Sequence, residues 1–587
     1  MNVNYKSYNN FNIAIYFSNS AVKKAYDEQW LEKSYAAISK NIRIGKIYIE
    51  TFRHGETADK EHIEKAIDFF RKKGIKQISG GMMVNASKSG PFRRSFCFTD
   101  PSEREQFRQL VEYTASLFDE IIFDDMFTFN CRCQKCQAAK GEMSWTEYRL
   151  KTMEGVYSDL VMKTAKSVNP NCDIIIKYPN WYEQYQFAGY NLEAGPRLFD
   201  HYYAGTETRD SDNTTQHLQI YQSYNIMRYF DHLRPGHFNG GWVDPGSPGS
   251  WNRFAQQFDL TLFAKPKETT IWDYDFLLDY IKDENGEKNI LSISSAIAGD
   301  SFEKVDSFLG ELGNPYGVAS YKPYQSFGES YIHNYLGMIG IPIDLFPEFP
   351  EASKVVFLSQ QASYDQDIVG KIKKFLAEGK RVIITSQLYK ALLSRGIKNI
   401  VEFDYTDKKI STSQFVFRES MNGEPNNIYY SENPIIFNEI YYGLTEAEET
   451  IQCVVGNNRY PLALTIRGYE KGDFYVINMP DNIGDLYNLP REVISAIRHI
   501  FMTEIPVAYD APAQVSLFVY DNNTFIIDSF RRNTVVCPLV VKKANIRLRD
   551  LITNEIVSNG ISHNGMTTFD LMMMPNSYRV FCIEEVI

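Results

Sequence analysis

The sequence predicts a (β/α)8 barrel followed by a flavodoxin-like α/β domain and a small C-terminal β-sandwich. Three observations predict it. Eight short apolar runs alternate with amphipathic stretches between residues 12 and 275, a second βαβ series starts near residue 355, and short alternating runs split by Asn, Asp and Gly turns fill the last eighty residues or so. A chain of 587 residues is too long for one core, and these changes of rhythm divide it at 1–305, 306–507 and 508–587.

The eight runs are NIAIYF from Asn12, IGKIYIE ending at Glu50, KQISGGMM from Lys76, EIIFDD ending at Asp125, DIIIKYP from Asp173, LFDHYYAGTE ending at Glu207, GHFNGGWVD ending at Asp244 and ETTIWDYD ending at Asp275. Apolar runs this short, with helical periodicity between them, read as parallel strands buried on both faces, and eight such units close a barrel. Segments such as AVKKAYDEQWLEKSYAAISK and SEREQFRQLVEYTASLFDE carry apolar residues at helical spacing on a polar background and supply the outer ring. KVVFLSQQ, the helix QDIVGKIKKFLAEG and RVIITSQ then restart the βαβ pattern, joined by DFYVINMP and the helix REVISAIRHIF. From Ala511 onward, QVSLFVYD, NTFIIDSF, TVVCPLVV and SYRVFCIE alternate in the manner of a sandwich.

Composition narrows the function. Hydrophobic residues are 44% and charged residues 23%, ordinary for a globular chain, and a net charge of −11 opposes binding to phosphate backbones, so no nucleic-acid partner is expected. No apolar stretch reaches the ~18 residues of a membrane span and the N-terminus lacks a leader pattern, so the chain reads as cytoplasmic, or as periplasmic or secreted if a leader has been cleaved from it. Aromatic residues are 14%, and flat apolar faces suit sugar rings. Phosphate loops, dinucleotide fingerprints, H-E-x-x-H and G-x-S-x-G are all missing, so no organic cofactor is expected.

In a (β/α)8 barrel the chemistry comes from the C-terminal ends of the strands. Here those ends are acidic: Asp124 and Asp125 after the fourth, Glu207 after the sixth, Asp244 after the seventh. Two carboxyl groups are what glycoside hydrolysis requires, one to protonate the leaving oxygen and one to act as nucleophile or base. Asp125 and Glu207 are the leading pair, with Asp124 and Asp244 in reserve; the alternative role for each is capping a following helix. A separation of about 5–5.5 Å would mean retention and about 6.5–9.5 Å inversion. Glu50, Arg53, Trp181, Glu183, Arg209, Trp242, Trp272 and Asp273 lie at strand ends and have the side chains that bind sugars, by planar hydrogen bonding or by stacking.

Cys131, Cys133 and Cys136 form a C-x-C-x2-C run after the fourth strand, with Cys97 after the third. Four thiolates make a closed structural zinc site, with reduced thiols or a disulfide as the alternatives.

In layout and in these four cysteines, the chain resembles the family 42 glycoside hydrolases, which are β-galactosidases. That resemblance implies a catalytic barrel, an amidotransferase-like middle domain that forms homotrimers, a C-terminal β-domain and a zinc held by Cys97, Cys131, Cys133 and Cys136. The chain departs from the family at two places. Family 42 ends its fourth strand in Asn-Glu, the acid/base, and carries a nucleophilic Glu on the seventh, whereas this chain has Asp124-Asp125-Met126 and Asp244. A carboxylate after strand four with another after strand six is similar instead to the α-galactosidase type of barrel, in which the strand-four Asp is the nucleophile. The expected function is therefore a retaining, exo-acting glycosidase on an oligosaccharide, galactoside-like in the first instance; the alternatives are a non-catalytic carbohydrate-binding protein or another sugar-active enzyme on the same barrel.

Overall fold

The computed structural model describes residues 7–86, 94–210, 218–246, 249–282, 288–417, 427–441, 447–557 and 560–586. Eight parallel strands close on themselves: β1 (Asn12–Phe17), β2 (Lys46–Arg53), β3 (Gln77–Met82), β4 (Glu120–Phe123), β5 (Asp173–Tyr178), β6 (His201–Gly205), β7 (Phe238–Val243) and β8 (Glu268–Trp272). Each pairs with its sequence neighbour, and β1 pairs with both β2 and β8, so the barrel has no edge.

Local chemistry sets the outer helices. In α1 (Lys60–Lys72), Ile63, Ala66, Ile67 and Phe70 fall on one stripe and are buried, while the Asp59 side chain accepts from the backbone N–H groups of Glu61 and His62 and so caps the first turn. Asp100 caps α2 (Pro101–Ala115) in the same way, with Pro101 in the first turn where no backbone donor is needed. Inside the barrel, Ala14, Tyr16, Tyr48, Ile122, Ile175, Tyr203 and Trp242 pack together. The tyrosines place hydroxyls in that interior, and both Tyr48 and Tyr203 donate to Glu268 Oε1, at 3.1 and 2.8 Å. Buried hydroxyls require such partners.

The barrel with its closing helix is one compact unit, Met1–Gly310, and Glu311–Ile587 is the other. In the second unit, β9 (Val318–Tyr321), β10 (Ile343–Phe346), β11 (Val355–Leu358), β12 (Arg381–Thr385) and β17 (Gly472–Ile477) form a parallel sheet in the order β10-β9-β11-β12-β17. Four long antiparallel strands extend it: β13 (Asp404–Phe417), β14 (Tyr429–Tyr441), β15 (Glu448–Val455) and β16 (Asn458–Tyr469). This antiparallel extension adds to the α/β domain expected from the sequence. These strands carry polar residues on a half-solvated face and lack the continuous apolar signature of the parallel strands.

The chain ends in two antiparallel layers. One is β19 (Val515–Tyr520), β20 (Thr524–Ser529), β24 (Ser577–Glu585) and β22 (Ile546–Asp550); the other is β18 (Val507–Tyr509), β21 (Val535–Val541) and β23 (Met566–Met573). In β23, Thr567, Phe569, Leu571 and Met573 are buried and the residues between them exposed, the period-two pattern of a sandwich. One hydrophobic core joins Leu336, Phe357 and Phe501 of the α/β part to Val515, Leu539 and Phe581 of the layers.

Candidate active site

The C-terminal ends of the barrel strands open into a cavity of about 670 Å³. Beyond β4, Asp124 is anchored by its backbone N–H to the carbonyl of Met82. Met126 takes a left-handed φ of 66°, which turns the chain away directly after Asp125. Beyond β6, the Glu207 carbonyl accepts from Asn180 Nδ2 at 2.6 Å. Gly205 lets the carboxyl fold back, because a Cβ there would lie 2.8 Å from Glu207 Oε2 and 2.9 Å from the Asn180 nitrogen.

The centre of the site is Lys177, the penultimate residue of β5, whose side chain is 1% exposed. Its Nζ stands 3.2 Å from Asp125 Oδ2, 3.6 Å from Glu207 Oε1 and 3.8 Å from Asp124 Oδ1, and 5.1 Å from the Trp242 ring on the cavity floor. Burial works against the ammonium, but Asp125, Glu207 and Asp124 together hold it well above the usual lysine range. Burial also pushes the Glu207 carboxyl up to about 8, against the pull of Lys177, and its Oε2 has no hydrogen-bond partner among the described residues. Burial, reinforced by Asp125, raises Asp124 to about 7 although Lys177 and Arg53 draw it down.

Two arginines complete the network. Arg53 Nε donates to both oxygens of Glu50 at 2.8 Å, and its Nη2 donates to Asp124 Oδ2 at 2.9 Å. Its guanidinium lies 5.2 Å from the Trp272 ring. Glu50 also accepts from Tyr16 Oη at 2.9 Å and from the Asn19 backbone at 2.6 Å. Arg209 Nη2 donates to Asp244 Oδ2 at 2.7 Å. On the far wall, Asp273 Oδ2 accepts from Ser18 at 2.7 Å, and burial raises its carboxyl to about 7. Three cations thus face six carboxyl groups at low exposure, so some of the acids keep their protons.

Of the residues named from the sequence, Arg53, Asp124, Asp125, Trp181, Glu207, Arg209, Trp242, Asp244, Trp272 and Asp273 line this one cavity. Glu50 lies behind Arg53, fully buried, and Glu183 is buried in the turn Tyr182–Gln184 off the cavity wall. Sequence reasoning missed Lys177, Asn180 and Ser18. The one available signal was a lysine near the end of an otherwise apolar strand.

After β3 and β4, the Sγ atoms of Cys97, Cys131, Cys133 and Cys136 all lie within 4.8 Å of one another. Sγ separations of 3.7 Å (Cys97–Cys133), 3.5 Å (Cys97–Cys136) and 3.6 Å (Cys133–Cys136) approach the edge of about 3.8 Å for a tetrahedron of sulfurs about 2.3 Å from a common ion. The cluster therefore fits a closed metal site.

Residues 1–305, more than half of the chain, match the family model described as the catalytic domain of a probable glycosyl hydrolase. The chain belongs to this family. The family's C-terminal domain matches residues 506–583, and residues 313–482 match the second domain of the uncharacterized protein SSO3021. That protein, from Saccharolobus solfataricus, is 25% identical over 435 residues, which cover 67% of this chain and 70% of its own. Among solved structures, Gan42B, a GH42 β-galactosidase from G. stearothermophilus, superimposes with a TM-score of 0.64 at 12% identity over 98% of both chains. An α-L-fucosidase isoenzyme 2 from Paenibacillus thiaminolyticus gives 0.63 at 12% identity, over 99% of this chain and 100% of its own. These likenesses establish that the glycosyl hydrolase barrel and both following parts share the architecture of those enzymes.

Proposed function

We propose that this chain is a retaining, exo-acting glycoside hydrolase in which Asp125 is the nucleophile and Glu207 the acid/base. The observation that carries the reading is the meeting of these two carboxyls across the Lys177 ammonium in a tryptophan-lined cavity. Their nearest oxygens are separated by no more than the sum of the two distances to Nζ, which falls short of most of the ~6.5–9.5 Å range that inverting pairs keep for a water. The environments also differ as the two roles demand. Asp125 lies nearest the ammonium, at 3.2 Å, while burial keeps a proton on Glu207.

In the first step an Asp125 oxygen bonds to the anomeric carbon as the glycosidic C–O bond breaks and Glu207 gives its proton to the leaving oxygen. Water then displaces the Asp125 ester, losing its proton to Glu207, and both carboxyls return to their starting states. Trp181 and Trp272 offer stacking faces to a sugar ring, while Trp242 is buried at the base of the cavity. The exo mode and a galactoside-like substrate follow from the resemblance to β-galactosidases, and the fucosidase of the same fold adds fucosides to the first panel.

The test is a screen of α- and β-linked nitrophenyl glycosides and natural oligosaccharides against the wild type and Glu207→Gln. Activity of the wild type should fall as pH rises through about 8, where Glu207 loses its proton. Glu207→Gln should abolish that limb and reduce kcat by about 10²–10⁴-fold, most for poor leaving groups. Sugar binding without turnover by the wild type would make the chain a carbohydrate-binding protein instead.

We also propose that Cys97, Cys131, Cys133 and Cys136 hold a structural zinc that ties the β3 and β4 loops together. With four sulfur ligands no position is open for water, so the ion braces and does not catalyse. Elemental analysis should find one zinc per chain, and Cys136→Ser should remove it and lower Tm by about 5 °C or more. Stoichiometric protein without metal would refute the assignment.

A further inference from the structure

Beside the cavity that holds Asp125 and Glu207, a second hollow of about 450 Å³ opens on the same unit, walled by Lys24, Asp27, Gln29, Trp30, Lys33 and Tyr280. Its aromatic pair is well supported. Trp30 sits in the first turn of the helix Glu28–Ser39, where the Asp27 side chain accepts from its backbone N–H at 3.0 Å. Its indole packs against Phe17 and Tyr274, with ring centroids 6.2 and 6.0 Å away, and donates through Nε1 to Tyr280 Oη at 3.3 Å. Tyr280 comes from the strand Asp279–Lys282 of the hairpin that follows β8, and 48% of it remains exposed.

The two hollows share a ridge. Lys24, in the wall of the second, bonds through Nζ to Asp275 Oδ2 at 2.7 Å, and Asp275 is in the wall of the first. Ser20, also in the first, bonds to the same Asp275 oxygen at 3.0 Å. Aromatic residues follow the same route at intervals of four. Trp272 and Phe276 line the catalytic cavity with their rings 4.9 Å apart, Phe276 is 54% exposed, and Tyr280 stands in the second hollow.

We infer that the Trp30–Tyr280 hollow is a distal subsite for a further sugar unit of an oligosaccharide, on its leaving-group side. The chemistry matches the ligand: aromatic surface for C–H faces, with carboxylate, amide and ammonium groups around it for hydroxyls. The direction follows from the exo reading proposed above, on which this inference rests. The terminal ring lies at Asp125 and Glu207, and the rest of the chain runs outward past Phe276 and the Lys24–Asp275 ridge. The second hollow contains no residue of the catalytic pair, so its loss affects long substrates and spares short ones.

The experiment compares the full-length wild type with Tyr280→Ala, Trp30→Ala and Trp30→Phe on nitrophenyl monosaccharides and on oligosaccharides of increasing length, with calorimetric binding of the same oligosaccharides as a second readout. Tyr280→Ala and Trp30→Ala should raise KM and Kd for the longer oligosaccharides by about tenfold, the size of one lost stacking contact, and leave kcat/KM on the monosaccharide substrates unchanged. Trp30→Phe should restore most of the loss and thereby separate stacking from disturbed packing against Phe17 and Tyr274. Equal losses on short and long substrates, or none on either, would overturn the subsite. If the wild type cleaves nothing, the hydrolase reading fails, and the binding series still decides the subsite: weaker oligosaccharide binding in Tyr280→Ala upholds it, while unchanged or absent binding rejects it.

Discussion

Asp125→Asn is expected to lower kcat on every cleaved glycoside by about 10⁴-fold or more, the scale of loss when a covalent nucleophile is removed. The substitution keeps the size of the side chain and its ability to accept a hydrogen bond from Lys177, at a position whose side chain is 25% exposed, so the fold should survive. What it removes is the charge that attacks the anomeric carbon. Azide added to Asp125→Gly should restore turnover of activated aryl glycosides and yield a glycosyl azide of configuration opposite to the substrate, because the small anion occupies the space of the missing carboxylate. A kcat within tenfold of wild type would move the nucleophile to another strand end, and Asp244, held by Arg209 at 2.7 Å, would be tested next.

The second large effect belongs to Lys177→Met. Lysine and methionine are similar in length, so the change removes charge at nearly constant volume. Three carboxyls lose their common counter-ion, and their proton affinities rise. Because the nucleophile acts as a carboxylate, the acid limb of the pH–rate profile should move upward by about one to two units and kcat/KM near neutrality should fall by about 100-fold. Stability follows the same sign. A carboxyl whose folded pKa is raised supports the fold below its unfolded value and loses that support as pH rises through the folded value, so the variant should melt nearer to wild type at pH 5.5 than at pH 8. At the higher pH the uncompensated buried charge costs about 3–5 kcal/mol. Paired melting curves and a pH–rate profile read both effects; an unmoved acid limb would mean that Lys177 serves packing alone.

The contrast between Asp125 and Lys177 shows what a sequence makes legible. Strand rhythm is local: buried parallel strands are short apolar runs, so all eight barrel strands and the acids just past β4, β6 and β7 could be read directly. Lys177 gives only a faint signal, one charge near the end of an apolar strand. A lysine near the end of DIIIKYP looks like the solvated end of a strand, and only the closed barrel shows its Nζ among three carboxyls that lie up to 53 residues from it in sequence. Glu50 and Glu183 illustrate the same limit. Glu50 lies inside β2 and Glu183 in the turn after β5, and which way such a side chain points depends on its partners in the folded barrel, here Tyr16 and Asn19 from β1 and its following turn together with Arg53 for Glu50. The antiparallel strands β13–β16 were obscure for a related reason, since half of each faces water and the apolar signal is diluted.

The chain of contacts from Tyr16 through Glu50 and Arg53 to Asp124 has an implication for redesign. Tyr16 is part of the packed interior, so Asp124 after β4 is fastened to the first two strands through Arg53 in the cavity wall and through Glu50 and Tyr16 buried behind it. A laboratory attempt to install the family 42 pair of glutamates here would change one end of that tether and leave Arg53 with an altered partner. The practical unit of exchange is the whole tether together with Lys177, and libraries that vary those positions jointly should keep function where single swaps lose it.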